Sequence, residues 1–141
     1  MTPALLRAYR ATLYAVETMP VRIGRRAPGL DGHGPLVLLT AWNPLSRRMP
    51  LGWNHRMQVR LRAHLRGRAV READGALREW REAHLAVRAD PRWCAVLARR
   101  FRQRAIVVVR PRHPARLVFL ARGCRGSSGM LPWPPSASGL P

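Results

Sequence analysis

Residues 36–46 read LVLLTAWNPLS, and this stretch decides much of the fold. Its apolar run over 36–40 is typical of a central strand that is buried on both faces. A second apolar run, AIVVV over 105–109, predicts another interior strand. Each run has polar residues close to one end, so we expect the 40–46 island and Gln103 to lie near one another.

Two helices are predicted beside these strands. Over 54–66 the arginines fall outside one apolar third of the circumference, and Gly67 is typical of a helix end. The residues on that apolar third are Trp53, Met57, Leu61, His64 and Leu65. Asp90 can cap a second helix, since Pro91 suits its first position. The residues of this second helix expected to face the sheet are Trp93, Leu97 and Phe101.

Shorter strands complete the expected sheet. They are predicted over 12–16 and 21–23 as a hairpin, and over 69–72 and 117–120, with Asp74-Gly75 as a turn. Residues 85–88 are a further strand candidate, although 79–87 also fits a helix. Helices and strands alternate without a regular βαβ repeat, which favours an α+β domain with a mixed β-sheet and two principal helices. We expect this single domain to span 1–120. The Gly/Ser/Pro-rich residues 121–141 predict a disordered tail.

Composition excludes several classes of protein. The chain has 141 residues, of which 47% are apolar, so one domain with a core is expected. The longest aliphatic runs fall far short of the ~20 residues that a membrane span needs. No signal segment is visible, and two cysteines cannot form a disulfide framework. These observations favour a cytoplasmic protein without a membrane partner.

The charge has two interpretations. The net charge is +19, which suggests nucleic acid or another polyanion as the partner. All 26 basic residues are arginine, however, and phosphate binding rarely excludes lysine, so genome composition explains the excess equally well. No acidic residue lies between Asp31 and Glu72 or after Asp90. Two acid-free stretches would form one positive face if they pack together.

Four islands of sequence resemble a known family. They are AYRAT at 8–12, TAWNPLS at 40–46, Asn54, and RFRQRAIV at 100–107. In this order and spacing they resemble the bacterial domain-of-unknown-function family 3293, and the resemblance covers about residues 5–120. It implies a small stand-alone bacterial domain without an assigned biochemical role.

Three positions depart from the pattern of that family. Trp53 stands where the family usually has a glutamate, and Arg102 stands where it usually has a glycine. His84 lies two residues after Glu82, where the family tends to have a serine. If the missing glutamate takes part in a family activity, this chain is expected to lack that activity.

The 40–46 island is the first candidate site. Thr40, Asn43, Ser46 and Asn54 offer neutral donors and acceptors, and Arg47 offers charge, so together they could hold a phosphate or carboxylate at a helix start. Gln103 could reach the same ligand. In the structural alternative, Asn43 and Ser46 satisfy loop backbone, Asn54 caps the helix, and Gln103 bonds helix carbonyls.

These residues support three functions. The first is a binding module for an anionic ligand, either nucleic acid or a phosphorylated small molecule. The second is a small enzyme whose site gathers Asn43, Ser46, Asn54 and Glu82. The third is a partner-binding protein without a ligand. Histidine and cysteine spacings indicate no metal site, and the sequence contains no nucleotide-binding loop, so no cofactor is expected.

Overall fold

The computed structural model describes residues 2–120. Its helices are α1 (Pro3–Ala11), α2 (Leu51–His64) and α3 (Pro91–Arg100). Its strands are β1 (Leu13–Val16), β2 (Met19–Val21), β3 (Leu36–Leu39), β4 (Val70–Leu77), β5 (Trp80–Arg88), β6 (Ala105–Val109) and β7 (Arg116–Phe119). The α+β class is therefore confirmed. The tail predicted over 121–141 lies outside the described residues.

The strands form one curled sheet. Their order is β2-β1-β4-β5-β3-β6-β7, and every ladder is antiparallel. An isolated parallel bridge between Ile23 and Ala115 draws the two ends of the sheet together. Within residues 2–120 this bridge is the only parallel pairing, so the expected mixed sheet is antiparallel in all its ladders. Hairpin connections account for three of these antiparallel ladders, namely β1–β2, β4–β5 and β6–β7.

Two apolar cores lie on opposite faces of this sheet. Val37 and Leu39 face α2 and α3, whereas Leu36 and Leu38 face the inside of the curl. The run 36–40 is therefore buried on both faces, as its composition predicts. The inner face carries the cavity described below.

The hairpin of β4 and β5 differs from its prediction. The turn expected at Asp74-Gly75 is wrong, because these residues lie inside β4 and pair with β5. The chain turns instead after Leu77, where Arg78 has a left-handed φ of 57°. Gly75 serves close packing, since a Cβ at this position would lie 3.0 Å from the ring of Tyr14.

The helices are close to their predicted positions, with two corrections. Asp90 caps α3 as expected, by accepting a hydrogen bond from the backbone N–H of Arg92. Trp93 does not face the sheet: it is 37% exposed, and the Arg68 guanidinium lies 4.1 Å from its ring centroid. Cys94 is buried in place of Trp93, on the same face of α3 as the buried residues Leu97 and Ala98. His64 is also exposed, resting edge-on against Phe101.

The first helix is longer than the single turn expected at its position. Thr2 caps α1 by accepting a hydrogen bond from the backbone N–H of Leu5, and no residue of the helix is fully buried. It lies across the open end of the inner face, where Leu5, Ala8 and Tyr9 meet the sheet. Within the described part of the chain, no helix is long and apolar enough to span a membrane.

Candidate functional site

The loop after β3 has an unusual backbone. Asn43, Leu45 and Ser46 all have positive φ, of 44°, 55° and 63°. Non-glycine residues adopt this conformation at a cost, so surrounding contacts must hold it in place. The backbone N–H of Leu45 donates to the carbonyl of Arg102 at 2.8 Å, which ties the loop to the chain after α3.

Asn43 and Asn54 hold this loop by bonding each other. The backbone N–H of Asn43 donates to Asn54 Oδ1 at 3.0 Å, and Asn54 Nδ2 donates back to Asn43 Oδ1 at 3.0 Å. Asn43 Oδ1 also accepts from the backbone N–H of Met49, at 2.8 Å. Both asparagines are almost fully buried, at 5% and 2% exposure. Their polar atoms are therefore committed to the protein itself.

Gln58 fixes the end of β3 from α2. Its Oε1 accepts from the backbone N–H of Ala41 at 2.9 Å, and its Nε2 donates to the carbonyl of Ala83 at 3.2 Å. Thr40 donates to the same carbonyl at 2.6 Å and accepts from the backbone N–H of Trp42 at 3.0 Å. These bonds position Thr40 at the rim of the inner face.

A cavity of about 300 Å³ lies between α1 and the inner face of the sheet. Its apolar wall includes Leu38, Ile106 and Val107. The polar residues that line it are Tyr9, Thr12, Tyr14, Thr40, Ser46, Trp80, Glu82, His84 and Gln103. The cavity thus combines an apolar body with a polar region, as small-molecule sites commonly do.

Three polar residues come from β5 at alternate positions. Trp80, Glu82 and His84 share one face of the strand because side chains repeat every second residue. Glu82 Oε2 accepts from Trp80 Nε1 and from Asn43 Nδ2, each at 3.0 Å. The asparagine pair therefore stands behind Glu82 and orients its carboxylate.

His84 is held by the backbone. Its Nδ1 lies 3.2 Å from the carbonyl of Glu82, and its ring meets Tyr14 edge-on at 5.6 Å between centroids. Burial lowers the pKa of His84, while the nearby charges of Glu82 and Asp74 oppose that shift. The imidazole is therefore neutral near neutral pH.

Burial also shifts the pKa values of the two tyrosines that line the cavity. Burial raises the pKa of Tyr14, and Tyr9 and Glu82 raise it further. Burial also raises the pKa of Tyr9, against a hydrogen bond with Ser46 and the charge of Arg104 that lower it. Both hydroxyls thus stay protonated at physiological pH.

The predicted site residues fall into three groups. Thr40, Ser46 and Gln103 line the cavity together. Asn43 and Asn54 lie buried behind it, as described above. Arg47 is exposed on the loop and does not belong to the lining.

Gln103 is brought against the 40–46 island, as the sequence predicts. Its Nε2 donates to the carbonyl of Trp42 at 3.0 Å and to the carbonyl of Phe101 at 3.2 Å. The second bond is the helix-end contact of the structural alternative. The first joins the segment before β6 to the loop after β3.

Sequence reasoning missed five polar residues of the cavity wall: Tyr9, Thr12, Tyr14, Trp80 and His84. The usable signal was the alternation of Trp80, Glu82 and His84, which indicates one face of a strand once β5 is known to begin at Trp80. Among residues 2–120, no group of three His, Cys, Asp or Glu side chains is placed to hold a metal ion.

Comparison with known proteins identifies the family. Residues 39–106 match the model of the family described as "Protein of unknown function (DUF3293)". Residues 39–106 therefore belong to the DUF3293 family. This confirms the resemblance read from the sequence, over a shorter span than 5–120. No curated protein and no solved structure matches the chain.

The DUF3293 match includes much of the cavity wall. It contains β4, β5, α2, α3 and the loop after β3, and so Thr40, Glu82, His84 and Gln103. Tyr9 and Tyr14 lie outside the matched residues. The family description itself indicates a domain of unknown function and no more.

Proposed function

We propose that this domain is a binding module for a small organic molecule held in the cavity between α1 and the curled sheet. The observation that supports this proposal most directly is that residues far apart in sequence line one cavity of about 300 Å³. They include Tyr9, Ser46, Glu82 and Gln103. That volume lies at the lower end of the range usual for small-molecule sites, about 300 to 1,000 Å³.

The arrangement of supporting bonds favours this function. Two buried asparagines and Gln58 fix the strand ends and the loop, and none of the three lines the cavity. Support of this kind holds lining groups in place before a ligand arrives, which lowers the cost of binding. The loop that connects β3 to α2 has three positive φ values, which cost conformational energy. Strain of this kind is concentrated at functional sites.

The chemistry of the lining bears on the ligand class. An anionic ligand, such as a phosphorylated small molecule, is expected from the arginine content. Arg48 lies over the Trp80 ring and Arg104 lies near Tyr9, so both flank the cavity. The lining itself contains the Glu82 carboxylate and no arginine. Its local charge therefore opposes an anion inside the cavity.

A pair of substitutions on one helix tests the proposal. Ala8→Phe places a ring into the cavity, whereas Ala11→Phe adds the same ring on the exposed side of α1. A fragment library is screened by NMR against the parent and the two variants. We expect fragments that bind the parent and Ala11→Phe but do not bind Ala8→Phe. Equal binding to Ala8→Phe and Ala11→Phe would contradict the proposal, provided both keep the parent's fold.

A polyanion on the outer surface is the second candidate function. Neither α2 nor α3 contains an acidic residue, and both carry exposed arginines, among them Arg56, Arg60 and Arg92. Residues of both helices pack into the core on the outer face of the sheet. The two helices therefore offer one positive layer, which we call the helix layer, to nucleic acid. Paired substitutions of Arg56 and Arg60, measured by DNA binding, test this candidate.

A further inference from the structure

Three polar side chains of the cavity present hydrogen-bond acceptors to it, beginning with Gln103. Gln103 uses its Nε2 amide group on two backbone carbonyls, of Trp42 and Phe101. Because carbonyls only accept, the nitrogen must face them, and Oε1 remains as the free end of the side chain. Gln103 thus offers an acceptor to the cavity that it lines.

His84 follows the same logic. The carbonyl of Glu82 lies against Nδ1, so the neutral ring carries its proton on Nδ1 and a lone pair on Nε2. Nε2 forms no hydrogen bond within residues 2–120, and the ring lines the cavity. A second acceptor therefore faces the same space.

Glu82 supplies the third acceptor and the only formal charge of the lining. Its Oε2 is occupied by the neutral donors Trp80 Nε1 and Asn43 Nδ2. No salt bridge joins Glu82 to an arginine in the described part of the chain. Its Oε1 is the remaining acceptor.

Aromatic rings stand beside this carboxylate. Tyr9, Tyr14 and Trp80 line the cavity, and ring faces attract cations. The Trp80 ring already holds one, since the Arg48 guanidinium lies 4.8 Å from its centroid. A carboxylate with aromatic walls is a recurrent arrangement for organic ammonium groups.

We infer that the ligand of this cavity is a small organic amine, bound as its monocation with the ammonium group toward Glu82 and its apolar part against Leu38 and Val107. An ammonium has three N–H donors and no acceptor, which suits the three acceptors of Gln103, His84 and Glu82. The net charge of +19 opposes a cation at long range, but salt screens charges beyond about 8 Å, so the nearby carboxylate dominates. This inference rests on the proposed function and names its substrate class.

Three probes of similar shape test the inference on the full chain: 2-phenylethylammonium, 2-phenylethanol and 3-phenylpropanoate. Affinities are measured by NMR titration of the ¹⁵N-labelled protein, following the Trp80 indole N–H that donates to Glu82. We expect the ammonium to bind at least about tenfold more tightly than the alcohol, since charge-assisted hydrogen bonds are the stronger ones. The carboxylate is expected to bind most weakly.

Glu82→Gln removes the charge and keeps the side-chain size, and we expect it to abolish the preference for the ammonium. Glu79→Gln is the matched control, because this exposed residue beside the β4–β5 turn lies outside the lining. Equal affinity for ammonium and alcohol in the parent would overturn the inference and leave the proposed function standing. Tightest binding of the carboxylate would overturn it in favour of an anionic ligand. Fragments that bind the parent and Ala8→Phe with equal affinity would contradict the proposed function itself.

Discussion

Replacing Asn54 by alanine should destabilise the domain strongly, although the residue belongs to α2, a helix on the outer face of the sheet. Asn54 is 2% exposed and takes part in three hydrogen bonds, two with Asn43 and one with the Met49 carbonyl. The substitution leaves the buried N–H of Asn43 without its acceptor, and an unsatisfied buried donor costs about 1–3 kcal/mol. The higher helix propensity of alanine returns less than about 0.7 kcal/mol.

The expected net loss is about 1–2 kcal/mol of unfolding free energy, or about 4–8 °C in Tm at a rate of about 4 °C per kcal/mol for a chain of this size. Urea denaturation followed by circular dichroism measures it. Arg56→Ala is the matched control on the same helix, because Arg56 is exposed, and it should change stability by less than about 0.5 kcal/mol. A loss below about 1 kcal/mol for Asn54→Ala would refute the structural role assigned to the asparagine pair.

Two further predictions concern protons and charge. Burial depresses the pKa of His84 below its ordinary 6.5, so on acidification the unfolded chain binds this proton before the folded chain does. His84 should therefore lower the free energy of unfolding as pH falls through 6.5 towards the folded-state pKa, by at most about 1.4 kcal/mol per pH unit. Urea titrations between pH 7.5 and 5.5 should show a shallower loss for His84→Gln, and equal slopes would show that the imidazole is not buried neutral. For the helix layer, Arg56→Gln with Arg60→Gln should weaken duplex DNA binding by well over 1 kcal/mol more than the exposed control pair Arg25→Gln with Arg26→Gln, in fluorescence anisotropy at physiological salt. Equal losses would mean that the charge acts only as diffuse attraction, and nucleic acid would no longer be a candidate partner.

The buried strands and capped helices were predictable because their signals are local. Apolar runs predict β3 and β6 without knowledge of their neighbours, and Asp90-Pro91 starts α3 by side-chain chemistry alone. The β4–β5 hairpin was largely missed. Its strands are rich in alanine and charge, and Asp74-Gly75 has the composition of a turn. Pairing of β4 with β1 and of β5 with β3 makes them strands, which is a tertiary effect.

The candidate site was predictable only in part, for a similar reason. Polar residues at the end of an apolar run pointed to Thr40 and Ser46, and both line the cavity. The sequence could not show that Asn43 and Asn54 bond each other, since eleven residues separate them and helix α2 must be placed first. Nor could it place Tyr9, because nothing local says which part of the sheet α1 covers.

The central claim, that a small molecule binds inside the curled sheet, is tested most directly by locating a bound fragment. Isotope-filtered NOE spectra of a fragment that binds the parent should connect it to the methyl groups of Ala8 on α1 and of Leu38 and Val107 on the inner face of the sheet, all of which line the cavity. NOEs confined to the exposed Val59 or Phe119, with none to these three methyl groups, would contradict the account.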